Sequence, residues 1–216
     1  MTSTPRHKTH TIYTPRLILR SAVLEDAEAL ASLFSNPANS EFEPHKPDSP
    51  TAEKYEIRIA GWEAATAKGE SAFMVFALRD QSADEGNEGD APLGGRIIGM
   101  GGFNALPFSF SATDPSTKTL VGDTGVMIDS SETRKGYARE ALAATIEYGF
   151  ETLQCDRMFM ETLAANVPFN ALMKAMGLED VKKEAVGKFG AECVYEFGRE
   201  VWKSAKKTVA DSGKLI

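Results

Sequence analysis

Apolar positions along this chain switch between a period of about two and a period of about 3.6, and the switches delimit its elements. Arg16-Leu-Ile-Leu-Arg20 sets an apolar run between two cations and predicts a first strand. Leu24, Ala27, Leu30, Ala31 and Phe34 fall on one helical face, which Asn36-Pro37 ends. Residues 42–50 hold three prolines and predict a loop. Thr51 opens a second helix, with Glu53 in its first turn, Tyr55, Ile59 and Trp62 on one face and Lys68-Gly69 at its close. Three strands, Ala72–Leu78, Arg96–Phe103 and Leu120–Ile128, then follow with no helix between them and should pair as an antiparallel meander. The clearest helix is Ala138–Leu153, where Ala138, Ala141, Leu142, Ile146, Phe150 and Leu153 recur at helical spacing. Met158–Leu163 predicts a strand, Pro168–Met176 a short helix ended by Gly177, and Val194–Val201 a last strand; one more strand near 181–186 stays open. The order predicts an α+β (mixed α/β) fold. It should have one mostly antiparallel sheet of about six or seven strands, with a parallel pair and about four flanking helices.

Composition narrows the class. With 216 residues, 42% of them hydrophobic, the chain fits one globular domain, expected over residues 13–203. Residues 1–12 read as a loose arm, and the polar residues from Lys203, with a tail over 204–216, are expected to fray. No stretch approaches the roughly 20 apolar residues a membrane span needs, and no apolar run follows the basic N-terminus as in a secretory signal. Cys155 and Cys193 are the only cysteines, which favours reduced thiols and a cytoplasmic setting. No metal-ligand spacing is present, so no metal is expected. Five acids and no base stand between Asp80 and Asp90, so most of the net charge of −7 belongs to a predicted insertion at 80–94. The remainder has no basic patch interleaved with aromatics and gives nucleic-acid binding no support.

The chemistry-bearing segment is the link Asp129-Ser-Ser-Glu-Thr-Arg-Lys-Gly-Tyr-Ala138. A glycine just before a helix lets an anion approach the backbone, and the helix start offers unpaired N–H groups and a partial positive charge. Arg134 and Lys135 add charge suited to phosphate. Alone, the segment is equally an ordinary strand-to-helix turn. The GxxxxGK[ST] loop of nucleotide hydrolases is missing. Further on, Asn166 can cap the short helix, Pro168 suits its first turn and Gly177 its end, which alone describes a capped helix and nothing more.

Together and in this order, Thr133-Arg-Lys-Gly136-Tyr-Ala138, Gly136-Tyr-Ala-Arg-Glu140-Ala141 and Asn166…Gly177-Leu178 resemble the motifs of the GNAT superfamily of N-acetyltransferases. The opening TPRLILRSAVLEDAEAL is similar to the start of the ribosomal-protein N-terminal alanine acetyltransferase branch, and the resemblance covers most of Thr14 to Val201. It implies acetyl-CoA as co-substrate, held in a V-shaped opening between splayed parallel strands, here Leu120–Ile128 and Met158–Leu163. Backbone groups at Val126, Met127 and Ile128 would pair with the pantetheine arm, and one N–H there would polarise the thioester carbonyl. The N–H groups of Arg134, Lys135, Gly136, Tyr137 and Ala138 would hold the pyrophosphate, and the Asn166 side chain would touch the cofactor arm.

The implied acceptor is a primary amine, a peptide N-terminus or a small molecule, attacking directly within a ternary complex. Attack needs the neutral amine, and a peptide α-amine (pKa about 8) is neutral more often at pH 7 than a lysine (about 10.4). Asp123 is the candidate base, directly or through water, although a strand-edge carboxylate facing solvent reads equally well. Glu161 is a weaker candidate, and His45 reads as a surface residue. Three positions depart from the family pattern: Thr133 for Arg or Gln, Phe169 for a small residue, and Met173 where many relatives carry a tyrosine that protonates the leaving thiolate. Those departures keep a non-catalytic acyl-CoA-binding module as the alternative. Loops 37–50 and 107–119 are expected to frame the acceptor side of a monomer or homodimer.

Overall fold

Among the described residues nine strands form the frame, in the order β1 (Thr11–Tyr13), β2 (Leu17–Arg20), β3 (Ala72–Leu78), β4 (Ile97–Ala105), β5 (Phe108–Phe110), β6 (Lys118–Ile128), β7 (Arg157–Leu163), β8 (Lys182–Gly187) and β9 (Gly190–Gly198). The computed structural model describes residues 9–42, 49–79, 94–110 and 118–211. Residues 1–8 of the arm, His45, most of the acidic 80–94 stretch, residues 111–117 and the last five residues lie outside the described residues.

Along the sheet the strands run β1-β2-β3-β4-β6-β7-β9-β8, with β5 paired to β6. Every pairing is antiparallel except β6–β7. The predicted meander of three strands is β3-β4-β6. Glycines let its strands approach: a Cβ on Gly99 or Gly101 would run into the carbonyl oxygens of Met127 and Gly125.

Among the described residues five helices cover the two faces: α1 (Ala27–Ser35), α2 (Ala52–Lys68), α3 (Tyr137–Glu151), α4 (Val167–Ala175) and α5 (Arg199–Asp211). Ala27, Leu30, Tyr55 and Ile59 of α1 and α2 pack on Val75 and Ile97. On the opposite face Leu142, Ile146, Phe150, Met173 and Trp202 pack on Met158, Met160, Tyr195 and Phe197. Each such side chain contributes roughly 1.5–3 kcal/mol by leaving water.

Several elements differ from the sequence expectations. The described part of the polar tail is helical: α5 runs to Asp211, and Val201 belongs to it rather than to a last strand. Its Trp202, Ala205 and Val209 are buried, the Trp202 indole N–H donates to Glu147 Oε1 at 2.8 Å, and Arg199 donates to the Phe150 carbonyl and Glu151. Three apolar residues at helical spacing suffice because α3 offers partners. The loop expected over 107–119 contains β5 and the start of β6. Leu24, assigned to the apolar face of the first helix, is exposed in a 3-10 turn preceding α1.

The opening motif is explained by two ion pairs. Arg20 forms a buried bidentate pair with Asp26 at 2.7 and 2.8 Å, and Asp26 also accepts from the Val23 N–H at 2.8 Å. Loss of one partner would strand a buried charge, typically about 3–5 kcal/mol. The second pair, Arg16–Glu140, reaches the site.

Candidate functional site

Strands β6 and β7 are paired only through Val121–Arg157, Gly122–Met158 and Asp123–Phe159. Beyond Asp123 they part, while β6 stays paired to β4 as far as Ile128. The β4–β6 register shifts between Phe103 and Ala105, opposite Asp123. The extra residue, Asn104, is on β4, and such a bulge bends its own strand and raises the local twist at the level where β6 and β7 part.

Among the described residues, the parted edge of β6 has no neighbouring strand to take its outward backbone groups. The Asp129 N–H donates to the Ile98 carbonyl on β4 at 2.7 Å. Backbone groups alternate sides along a strand, so Met127 and Gly125 also face β4, whereas Val126 and Ile128 face the gap. Of the three backbone positions read from sequence, two therefore line the opening, and Met127 contributes its side chain to the other face. A Cβ built on Gly125 meets nothing within 4 Å.

Asp123 stands at the apex of the opening, half-buried, beside Asn104 on the bulge. Burial pushes its carboxyl above the ordinary 3.8, and a hydrogen bond from Asn104 partly offsets that. Glu161, two residues beyond Phe159 on β7, shares this face of the sheet by strand alternation. Its carboxyl is also raised, by desolvation first and then by the charges of Glu192 and Asp123. The sequence candidates Asp123 and Glu161 are thus brought together. Asn104 was missed, since only the register shift, which leaves it unpaired next to the Ala105–Asp123 pair, brings its side chain to Asp123.

At the far end of β6 a 3-10 turn, Ser130–Glu132, leads into the segment before α3. Arg134 has φ +62° and Gly136 φ +86°, both left-handed. Residues Thr133 to Gly136 are exposed, and Gly136 is the N-cap of α3 with no side-chain cap. The first N–H groups of α3 are therefore open to an anion. Among the described residues the Arg134 guanidinium has no protein partner. The Lys135 ammonium is held at 2.7 Å by Glu132, which Arg96 also binds. These two cations, Lys135 before Arg96, hold the Glu132 carboxyl below its ordinary value.

Two further sets of contacts hold this segment, and both were missed in the sequence. Asn39 Oδ1 accepts from the Ser130 N–H at 2.7 Å, and Asn36 donates to Ser130 Oγ at 2.9 Å, so the start of loop 37–50 is fastened to it. Glu140 accepts from Thr14 Oγ1 at 2.7 Å, the Arg16 N–H at 2.9 Å and Arg16 Nε at 2.6 Å. Thr14, Arg16 and Glu140 were each part of a recognised motif, but nothing in their spacing said that the motifs touch.

Asn166 caps α4: its Oδ1 accepts from the Phe169 N–H at 3.1 Å and its Nδ2 donates to Thr162 Oγ1 at 2.9 Å. Both ends of the side chain are engaged within the protein. Met173 is fully buried, so the α4 position that could carry an acid faces the core. Among the described residues no group of three or more His, Cys, Asp or Glu could hold a metal, and no helix is long and apolar enough to cross a membrane.

Comparison with known proteins matches the Acetyltransferase (GNAT) domain family over residues 16–179. The chain is 24% identical over 169 residues to the uncharacterized N-acetyltransferase p20 of Bacillus licheniformis, covering 78% of this chain and 82% of that protein. The fold is similar to RimJ of Mycobacterium smegmatis in complex with CoA-disulfide, with a TM-score of 0.65 and 17% identity over 91% of this chain and 89% of that one. It is also similar to the ribosomal-protein-S5-alanine acetyltransferase of Vibrio fischeri, with a TM-score of 0.64 and 18% identity over 89% of this chain and 98% of that one.

Proposed function

Because the chain belongs to the GNAT acetyltransferase family, we propose that it transfers the acetyl group of acetyl-CoA to a primary amine, with a peptide α-amine as the preferred acceptor. The observation that carries this reading is the opening at Asp123, where a backbone edge with no neighbouring strand among the described residues meets a half-buried carboxylate.

The described residues fit such a co-substrate. Val126 and Ile128 offer backbone groups to an extended amide-bearing arm, with Met127 supporting them in the β4 ladder. The N–H groups of Arg134, Lys135, Gly136, Tyr137 and Ala138 offer a cradle for a diphosphate, with the Arg134 cation beside it. Asn166 holds the start of α4 against β7 and so frames the far side of the opening. Acetyl-CoA supplies an acyl thioester: a C–N bond to the acceptor forms, the C–S bond breaks, and the thiol leaves.

Asp123 and Glu161 on one face attract a protonated amine. Asp123 then takes the proton, directly or through a water, and its raised pKa brings it closer to that of the amine. A group poised in this way removes a proton well from an α-amine of pKa about 8 and poorly from a lysine side chain of about 10.4. The buried Met173 favours a second reading, a non-catalytic acyl-CoA-binding module. The thiolate in the active reading is protonated by solvent.

Peptides of identical sequence, one with a free α-amine and a blocked lysine and the other the reverse, separate these readings by mass spectrometry at pH 7. The expected result is acetylation of the free α-amine at least about tenfold faster. Equal rates would refute the α-amine preference, and CoA binding without product on any amine would select the non-catalytic module.

A further inference from the structure

We infer that Arg16 is a positioning residue for cofactor binding, aiming the Gly136 N–H at the diphosphate from the bend between β1 and β2, far away in sequence. The inference rests on the proposed role of residues 134–138 and adds to it a residue outside that segment.

Arg16 makes several separate contacts at the start of α3, among them an ion pair of Nη2 with Glu140 Oε2 at 2.6 Å. Its Nη1 donates to the Lys135 carbonyl at 2.8 Å, and its Nε donates to Glu140 Oε2 at 2.6 Å. Its backbone N–H donates to Glu140 Oε1 at 2.9 Å, and its guanidinium lies 4.5 Å from the centroid of the Tyr137 ring. Thr14 adds a hydroxyl to the same carboxylate at 2.7 Å.

The first contact sets a direction. In a trans peptide the C=O and the following N–H point opposite ways. Drawing the Lys135 carbonyl toward Arg16 therefore turns the Gly136 N–H away from Arg16, toward the open side of the turn. No cis peptide bond is present among the described residues. Gly136, at φ +86°, is free to rotate unless held, and its immediate neighbour is Arg16 itself: a Cβ there would lie 3.2 Å from Nη2.

The second contact sets a charge. Glu140 stands in the first turn of α3, where its carboxylate would repel a diphosphate bound at the helix start. Arg16 neutralises it. Loss of Arg16 thus frees the Lys135–Gly136 peptide and exposes a like charge beside the anion, and both effects weaken cofactor binding. Neither touches the apex at Asp123, where the acceptor is deprotonated.

The test is steady-state kinetics with acetyl-CoA as the varied substrate. Arg16→Ala is expected to raise KM for acetyl-CoA about tenfold to a hundredfold while kcat stays within about threefold. Arg16→Lys keeps the charge opposite Glu140 but cannot serve Glu140 and the Lys135 carbonyl at once, so its KM should be intermediate. Calorimetric titration with CoA, run on the fraction shown folded by circular dichroism, should follow the KM order. A merely structural Arg16 would lower the thermal midpoint and the active fraction with KM unchanged, and that outcome overturns the inference. Gly136→Glu, measured beside it, keeps the two claims apart. If that variant loses CoA and Arg16→Ala does not, Arg16 has no positioning role while the cofactor segment stands. If neither loses CoA, both assignments fall.

Discussion

Replacing Gly136 by glutamate is expected to abolish measurable CoA binding while leaving the fold intact. Gly136 is exposed and caps α3 with a left-handed backbone. A side chain there costs about 1–2 kcal/mol of strain, and a carboxylate about 4 Å from a phosphate costs about 4 kcal/mol more at an effective dielectric of about 20. Together these exceed a hundredfold loss in affinity. Gly136→Ala carries only the strain and should lose about tenfold. The ordering Glu worse than Ala worse than wild type, read by calorimetry, identifies an anion site; equal losses would mean backbone strain alone.

Replacing Asp123 by asparagine is expected to lower kcat by about a hundredfold to ten-thousandfold, the usual contribution of a positioned base, with CoA affinity unchanged. The pH profile gives a sharper reading. In the wild type kcat/KM should rise as Asp123 ionises, at a pH above the ordinary aspartate value of 3.8 because burial raises it. The Asp123→Asn variant lacks that limb and keeps only the rise from the amine's own deprotonation. Stability should move the opposite way. A carboxyl with a raised folded pKa contributes stability that is full below its unfolded pKa and lost as pH rises through the folded one. The asparagine variant therefore should be no less stable than wild type at neutral pH. A variant that is both inactive and unstable would point to a structural Asp123.

Much of this was legible from local pattern. The meander of β3, β4 and β6, the long helix α3 and the glycine before it all follow from periodicity and helix-start chemistry within short windows. What was not legible depends on contacts between distant segments. Helix α5 is mostly lysine and polar residues, and partners on distant elements, Glu147 on α3 and Phe197 on β9 among them, make its Trp202 face worth burying. The parting of β6 from β7 coincides with a register shift opposite Asp123, and register is invisible in a single strand's sequence. Glu140 illustrates the same limit at the site. Its place in the motif was plain, but its partners Thr14 and Arg16 lie more than a hundred residues earlier.

Passage of acetyl from CoA to an amine at the opening beside Asp123 is tested most directly by a single-turnover experiment. Isotope-labelled acetyl-CoA and an α-amine peptide are the substrates, with intact-mass detection of both peptide and protein. The expected result is labelled acetyl on the peptide, one free thiol for each acetyl transferred, no labelled protein, and loss of the transfer in Asp123→Asn at saturating cofactor. Thiol release with an unmodified peptide, or transfer undiminished in Asp123→Asn, would contradict it.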